Sequence, residues 1–319
     1  MTRTLITGGT GFIGRSIVQH CLKLGDEIRV LDNNSRGSIE KLSIFKNDFE
    51  FIMGDIRDPK VVNRSLKKID RVIHLAYING TEHFYSKPFE ILDVGIRGTL
   101  NLLLAHNKFQ FSELVMASTS ETYQNADRIP TPEKVELVIP DVLNPRYSYG
   151  GGKIAMELLA LNYARQSNLQ VKIFRPHNIY GPDMGNEHVI PQLISKIKDR
   201  LKLEPLKREI QIEIQGTGNE TRSFCYIDDF ITQIDLILED KEPTGIYHVG
   251  VSDEISIHDL IKTLGTVLGK RLEVVETDIA PGSPVRRCPD VTKMASLGFS
   301  QQWTLERGLI PTTKWYLAN

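Results

Sequence analysis

Thr4-Leu5-Ile6-Thr7 runs straight into Gly8-Gly9-Thr10-Gly11-Phe12-Ile13-Gly14, and no other stretch restricts the fold as much. A helical period follows, with Ile13, Ile17, Val18 and Cys21 on one face and Gly25 near its end. Glu27-Ile28-Arg29-Val30-Leu31-Asp32 then reads as a second strand ending in an acid. Glycines at this spacing mean little alone. Between a strand and a helix, with an acid after the next strand, they describe a dinucleotide site. The tight turn lets backbone N–H groups and the helix N-terminus approach a pyrophosphate. Asp32 lies 18 residues past Gly14, where a carboxylate accepts hydrogen bonds from an adenosine ribose. Its charge repels a 2′-phosphate, so NAD is expected rather than NADP. Arg36 either softens that preference or is a solvated loop arginine.

Further strands are read at 50–56, 71–76, 114–117 and 171–174, with helical patterns at 61–67, 88–106 and 149–165. The long helix at 88–106 is expected to bury Ile91, Leu92, Ile96, Leu100, Leu103 and Leu104. Such alternation predicts an α/β fold, a Rossmann-type doubly wound parallel sheet with right-handed crossovers. Residues 1–174 are its expected extent, with 223–250 returning to it. Past residue 174 the rhythm changes to a rigid loop at 175–182, a helix at 189–203 and a strand at 210–214. A turn at Gly216-Thr217-Gly218, a strand at 245–250, a helix at 257–268, a strand at 272–275 and a loop at 281–287 follow. Residues 175–319 are expected to form mainly a smaller C-terminal substrate-binding domain.

With 39 basic against 40 acidic residues, nothing in the charge calls for nucleic acid or an anionic membrane. No apolar run approaches the ~20 residues that span a bilayer. Cys21, Cys225 and Cys288 are scattered and odd in number, which fits a reducing compartment, and a cytoplasmic protein without a leader is expected. The eight histidines lack ligand spacing, so no metal is expected. His74, inside an apolar strand, reads as a packed, hydrogen-bonded ring.

Tyr149 and Lys153 lie one helical turn apart, so they share a face. A lysine cation beside a tyrosine favours the phenolate and makes it a better base at neutral pH. The strand at 114–117 delivers Ser118-Thr119-Ser120-Glu121 at its carboxyl end, where ligands bind in open parallel sheets. Asp55, after the third strand, is a candidate for the adenine edge.

These residues, with the Ser/Thr cluster before Tyr123, the segment 175–182 and Arg222-Ser223-Phe224-x-Tyr226-Ile227-x-Asp229, resemble the extended short-chain dehydrogenase/reductases. Within that group the chain is similar to NAD-dependent nucleotide-sugar epimerases, dehydratases and decarboxylases. The resemblance implies a tightly held NAD, reduced and reoxidised within one turnover, and a nucleotide-diphosphate sugar as substrate. It places Thr119 at the sugar O4, Tyr149 as the base and Lys153 at the nicotinamide ribose. It implies further cofactor contacts at Phe12, Ile13, Ile56, Leu75, Ala76 and Pro176. Asn178, Val189, Arg222 and one of Arg286 or Arg287, the latter preferred, are the implied substrate contacts. A homodimer through the helices at 88–106 and 153–165 is implied as well. Gly95 departs from the family's usual asparagine, and Gln124 from its common glycine.

The implied first step, hydride loss from sugar C4 while Tyr149 takes the hydroxyl proton, leaves a 4-keto sugar with an acidic C5–H. Returning the hydride to the other face gives an epimer; expelling the C6 hydroxyl gives a dehydratase product; losing a C6 carboxylate gives decarboxylation. Thr119-Ser120-Glu121 resembles the Thr-Ser-Glu of some dehydratases and of the decarboxylases. Glu121 is either a catalytic acid–base or a structural acid near Tyr123. A net NAD(P)-dependent dehydrogenase or keto-sugar reductase and a non-catalytic NAD-binding scaffold are the other readings; Asp32 opposes an NADPH reductase, and intact Thr119, Tyr149 and Lys153 oppose the scaffold.

Overall fold

The computed structural model describes residues 1–277 and 285–319. The chain begins with β1 (Arg3–Thr7), α1 (Phe12–Lys23), β2 (Glu27–Asp32), β3 (Phe49–Met53), α2 (Pro59–Ser65) and β4 (Arg71–His74). It continues through α3 (Thr81–Ser86), α4 (Pro88–Phe109), β5 (Glu113–Ala117), α5 (Ser148–Ala164), β6 (Gln170–Pro176), β7 (Ile179–Tyr180) and α6 (Val189–Leu203). Next come β8 (Glu209–Gln215), β9 (Thr221–Ser223), β10 (Cys225–Tyr226), α7 (Ile227–Glu239) and β11 (Thr244–Val249). The last elements are β12 (Glu254–Ser256), α8 (Ile257–Leu268), β13 (Arg271–Thr277), β14 (Arg286–Arg287), α9 (Thr292–Ser296) and α10 (Leu305–Ala318).

Seven strands form one sheet in the order β11-β6-β5-β4-β1-β2-β3. Its direction is parallel throughout: Leu5 pairs with Arg29 and Val72, and β11 runs with β6, since Val171 N donates to Pro243 O and His177 N to Val249 O. Helices cover both faces, so the inner strands read as continuous apolar runs. Leu5, Ile6, Val72, Ile73, Leu114, Val115 and Met116 are fully buried. Strand order reverses between β1 and β4, which opens a crevice at their carboxyl ends.

The chain divides into two interleaved compact units. The first holds Met1–Tyr123, Leu137–Pro176 and Ile234–Tyr247; the second holds Gln124–Glu136, His177–Gln233 and His248–Asn319. In the second unit, β8 and β13 pair in parallel, Arg271 opposite Glu209 through Thr277 opposite Gln215. Ile210, Ile212 and Ile214 alternate inward along β8, the period of a strand with one wet face. The expected turn at 216–218 is present, with Gly216 at φ +92° and Gly218 at +76°.

Several expectations are corrected. The face of α4 toward the core is Ile91, Val94, Gly95, Gly98, Thr99, Leu102 and Leu103, while Leu100 and Leu104 are 37% and 64% exposed. α4 carries apolar residues around more than one face, and period alone does not choose between them. Close approach to Ile56 decides, because a Cβ on Gly98 would lie 2.8 Å from its side chain. The third strand ends at Met53, leaving Asp55 and Ile56 in the following turn. The segment 175–182 is not all loop: β6 runs to Pro176, and Ile179–Tyr180 pairs with Cys225–Tyr226. Of the loop expected at 281–287, residues 281–284 lie outside the described residues, while Arg286–Arg287 is a short strand beside β9. The helices α3, α7, α9 and α10 lie outside the helical patterns read from the sequence. Among the described residues, no helix is long and apolar enough to cross a membrane.

Candidate active site

The glycine turn is built by contacts that exclude larger side chains at two positions. Gly8, at φ +73°, lies so close to the strand end beside it that a Cβ would sit 2.8 Å from Ala76 N. A Cβ on Gly14 would sit 2.1 Å from Gly8 O, so the first turn of α1 rests directly on the loop. Gly11 differs: the nearest such contact is an ordinary 3.5 Å to Gly8 O. Internal packing does not demand glycine there, and its absent side chain leaves a cradle open in front of the loop. Gly11 also caps α1 without a side chain, so an anion in the cradle meets the positive end of a twelve-residue helix. Phe12 and Ile13 form the first turn of that helix.

Asp32 closes β2 and steadies this turn. Its Oδ2 accepts from Thr10 N at 3.0 Å and its Oδ1 from Asn34 N at 2.8 Å. A carboxylate has about four acceptor sites, so these two bonds do not exhaust it. Thr7, at the end of β1, holds the segment after β4: its hydroxyl oxygen accepts from Leu75 N and Ala76 N, both at 3.2 Å. Its proton therefore goes to His74 Nδ1, 2.7 Å away, leaving the Nε2 proton directed at Thr99 Oγ1, 3.4 Å off. Burial, with the Lys153 charge adding to it, pushes the imidazole down to about 3, so His74 is a neutral packed ring, as expected from its strand. Asp55 is engaged by Arg57, whose Nε and Nη2 donate to its two oxygens at 3.0 and 2.7 Å and hold the carboxyl below its ordinary range. Arg57 Nη1 also donates to Asp93 of α4, at 3.2 Å, and Ile56 is buried beside this pair.

β5 delivers the second half of the site. Ser118 N donates to Phe174 O at 2.7 Å, and Ser120–Tyr123 coil into a 3-10 turn. Thr119 is buried and shapes that turn, its Oγ1 accepting from Glu121 N at 3.1 Å. Beneath it Arg175 of β6 grips Glu157 of α5, Nε to Oε1 at 2.9 Å and Nη2 to Oε2 at 2.5 Å. Ser118 donates to the same carboxylate, and Arg175 donates to the Tyr123 hydroxyl. All four side chains are buried.

Tyr149 and Lys153 stand one turn apart near the start of α5. Lys153 Nζ donates to Ala117 O at 2.7 Å, tying the helix to the end of β5 two residues before Thr119. Burial pulls the ammonium down to about 7, and the Glu157 carboxylate one turn on opposes that shift. The Tyr149 ring stacks on Phe84 of α3 at 4.8 Å and meets Tyr77 edge-on at 5.4 Å. Glu121 lies 4.0 Å from the buried guanidinium of Arg146, three residues before Tyr149. Thr119 and Lys153 are thus joined through Ala117, and Glu121 is joined to the segment leading into Tyr149. Pro176 ends β6 in the same unit.

The other candidates belong to the second unit. Arg287 stands opposite Arg222 in the parallel pairing of β14 with β9, so two guanidiniums share one small sheet. Arg222 Nη1 donates to Thr221 O at 2.7 Å and Val285 O at 3.2 Å. Arg286 is engaged differently, with Nη2 2.6 Å from Glu254 Oε2 and Nε 3.0 Å from Oε1. Asn178, at φ +44°, donates from Nδ2 to Ser223 O at 2.9 Å, and Val189 opens α6. Gln124, where the family commonly has glycine, takes φ +51°.

Sequence reading passed over Tyr77, Phe84, Arg146 and Glu157. Glu157 carried a signal, its four-residue spacing after Lys153. Tyr77 and Phe84 carried none, since a loop and a six-residue helix bring them to Tyr149.

Residues 4–250 match the model of the NAD dependent epimerase/dehydratase family. The chain belongs to that family. Among its relatives is UDP-glucuronic acid decarboxylase 3 of Arabidopsis thaliana, 29% identical over 96% of this chain and 86% of the relative. UDP-glucose 4-epimerase of Thermotoga maritima, solved with UDP-glucose, superposes with a TM-score of 0.87 at 26% identity, covering 99% of this chain and 98% of that one. A dTDP-glucose 4,6-dehydratase of Streptomyces venezuelae, solved with NAD, has a TM-score of 0.87 at 27% identity, covering 100% and 98%. The protein is an NAD-dependent enzyme of the epimerase/dehydratase class. Its residues fit that cofactor: a Cβ on Gly11 would meet only Gly8 O within 4 Å, and Asp32 ends β2 with acceptor capacity to spare.

Proposed function

We propose that this enzyme oxidises the C4 hydroxyl of a nucleotide-diphosphate sugar in a closed redox cycle, through a transient 4-keto sugar. The observation that carries the reading is Lys153, buried, tied to Ala117 O beside Thr119 and one turn from Tyr149. Bound NAD would supply the acceptor and then the donor of the C4 hydride. Tyr149 removes the hydroxyl proton, the Lys153 cation favours its phenolate, and the Thr119 hydroxyl holds O4. The glycine turn with Phe12 and Ile13, and Asp32, Asp55, Ile56, Leu75, Ala76 and Pro176, form the cofactor side. Asn178, Val189, Arg222 and Arg287 are the substrate contacts, in a second unit that serves substrate binding. Two arginines on one small sheet, Arg222 and Arg287, match the charge of a diphosphate.

A more specific exit turns on Glu121, which lies 4.0 Å from Arg146 in the segment leading into Tyr149. Simple return of the hydride needs no carboxylate beside the base, whereas chemistry at C5–C6, dehydration or decarboxylation, uses one. Mass spectrometry of products from UDP-, GDP- and dTDP-sugars, uronates included, tests both statements without added cofactor. Loss of water marks dehydration, loss of carbon dioxide marks decarboxylation, and unchanged mass at a new retention time marks epimerisation. Turnover only with supplied NAD(P)(H) would replace the closed cycle by a net dehydrogenase or reductase; tight binding without turnover would make the protein a scaffold. Glu121→Gln is expected to stop C5–C6 chemistry while C4 oxidation persists, and an unchanged product yield would remove Glu121 from the mechanism.

A homodimer through α4 and α5 belongs to the same reading, supported by the exposed Leu104 of α4 and Leu158 of α5. So does a cytoplasmic location, supported by three buried, free cysteines.

A further inference from the structure

Tyr77 lies in the loop after β4, and two glycines on two different helices make room for it. A Cβ on Gly95 of α4 would fall 2.1 Å from Tyr77 Cε2, and one on Gly152 of α5 would fall 2.3 Å from its hydroxyl oxygen. Any larger residue at either position displaces the ring. Gly152 is in a helix interior, where glycine costs roughly 0.5–1 kcal/mol relative to alanine, so its presence calls for a local reason. What the ring touches supplies one. Lys153 Nζ lies over its face, 4.0 Å from the centroid. The Tyr149 ring meets it at 5.4 Å and 73°, and its hydroxyl donates to Tyr149 O at 3.4 Å. One side chain therefore bears on both members of the pair assigned above to proton transfer.

We propose that Tyr77 is a positioning residue for this enzyme's base, its ring seated in the gap left by Gly95 and Gly152 so that it fixes the Lys153 ammonium on its face and the Tyr149 ring at its edge. The inference rests on the reading of Tyr149 and Lys153 given under the proposed function. It also explains Gly95, which departs from the family's usual asparagine: in this chain the space beside α4 is filled from the β4 side. An aromatic face attracts a desolvated ammonium by electrostatics, which an aliphatic chain of similar bulk does not. The titratable groups that act on Lys153 besides Tyr77 and Tyr149 are Glu157 on α5, which opposes loss of its charge, and His74 of β4, which burial and that charge keep neutral. Arg175 of β6 is held by Glu157.

The test follows the Lys153 ammonium by NMR in protein carrying ¹⁵N-labelled lysine side chains, and in parallel the pH profile of turnover. Tyr77→Leu, which keeps bulk and loses the π face, is expected to lower the Lys153 titration midpoint by about one pH unit. The alkaline limb of the activity profile moves with it, because the cation is lost at lower pH. Tyr77→Phe keeps the face and restores the midpoint to near that of the wild type. Gly95→Ala displaces the ring and reproduces the Tyr77→Leu shift, with no further shift when the two are combined; it carries the test should Tyr77→Leu fail to fold. A wild-type midpoint in Tyr77→Leu or Gly95→Ala overturns the proposal, as does a Tyr77→Phe variant that shifts as far as Tyr77→Leu. Tyr149→Phe separates the two levels of inference. If it turns over substrate like the wild type, the assignment of the base falls and Tyr77's role with it. If it is inactive while Tyr77→Leu titrates normally, only the role of Tyr77 falls.

Discussion

A carboxylate taken out of water persists only where donors surround it, and Glu157 has Arg175 in a two-bond clamp and the Ser118 hydroxyl. Arg175→Met strands that charge, and urea denaturation should show a loss of about 3–5 kcal/mol. A loss under about 1 kcal/mol would mean the pair is not buried as described. His74 sets a second expectation. Its ring is neutral in the fold, down to about 3 from an ordinary 6.5, so the unfolded chain binds the extra proton between those values. Stability from this group is present above 6.5 and lost as pH falls through that window. Unfolding free energy should drop there by about 1.4 kcal/mol per pH unit more than in His74→Asn. Equal slopes would show the ring to be charged in the fold. Lys153, pulled down to about 7 from 10.5, acts with the same sign in a higher window. At this scale the Tyr149–Lys153 pair was legible because its spacing is local, whereas Thr119 entered only through the family resemblance. Tyr77 was not, because its partners lie 72 and 76 residues away, at Tyr149 and Lys153.

Elements were legible where one physical rule dominates. The glycine turn is the clearest case, and it separates folding from binding. Gly14→Ala puts a methyl against Gly8 O and should destabilise the protein, at about 1–3 kcal/mol for an overpacked site. Gly11→Ala meets no such obstacle: it should cost no more than about 1 kcal/mol as a poorer helix cap and weaken NAD binding by about tenfold or more, the equivalent of ~1.4 kcal/mol in calorimetry. Undiminished affinity would mean that the cofactor does not approach the backbone at Gly11. The helices α6 and α8 match their expected ranges because each has a single apolar face with solvated residues opposite. α4 has apolar residues on more than one face, so its period named Leu100 and Leu104 as core when glycine and threonine occupy the close approaches. The bend at 175–182 contains strand because β10, more than forty residues later, supplies hydrogen-bonding partners that local propensity does not anticipate.

For the whole molecule, the outward leucines of α4 and α5 make association testable. Leu104→Glu should convert a dimer to monomers in sedimentation equilibrium while leaving the monomer folded, since Leu104 is 64% exposed. An unchanged mass would move the interface elsewhere. The sequence alone determined the parallel α/β sheet, the dinucleotide turn and the Tyr149–Lys153 pair. Each is written in contiguous residues, where chain geometry converts spacing directly into position. Only the tertiary structure decided which face of α4 is buried, that Arg286 turns to Glu254 while Arg287 lies beside Arg222, and that Tyr77 fills the gap left by Gly95 and Gly152. Those choices are contests between groups far apart in the chain, and they are settled by which pairs of surfaces close most tightly once the sheet has formed.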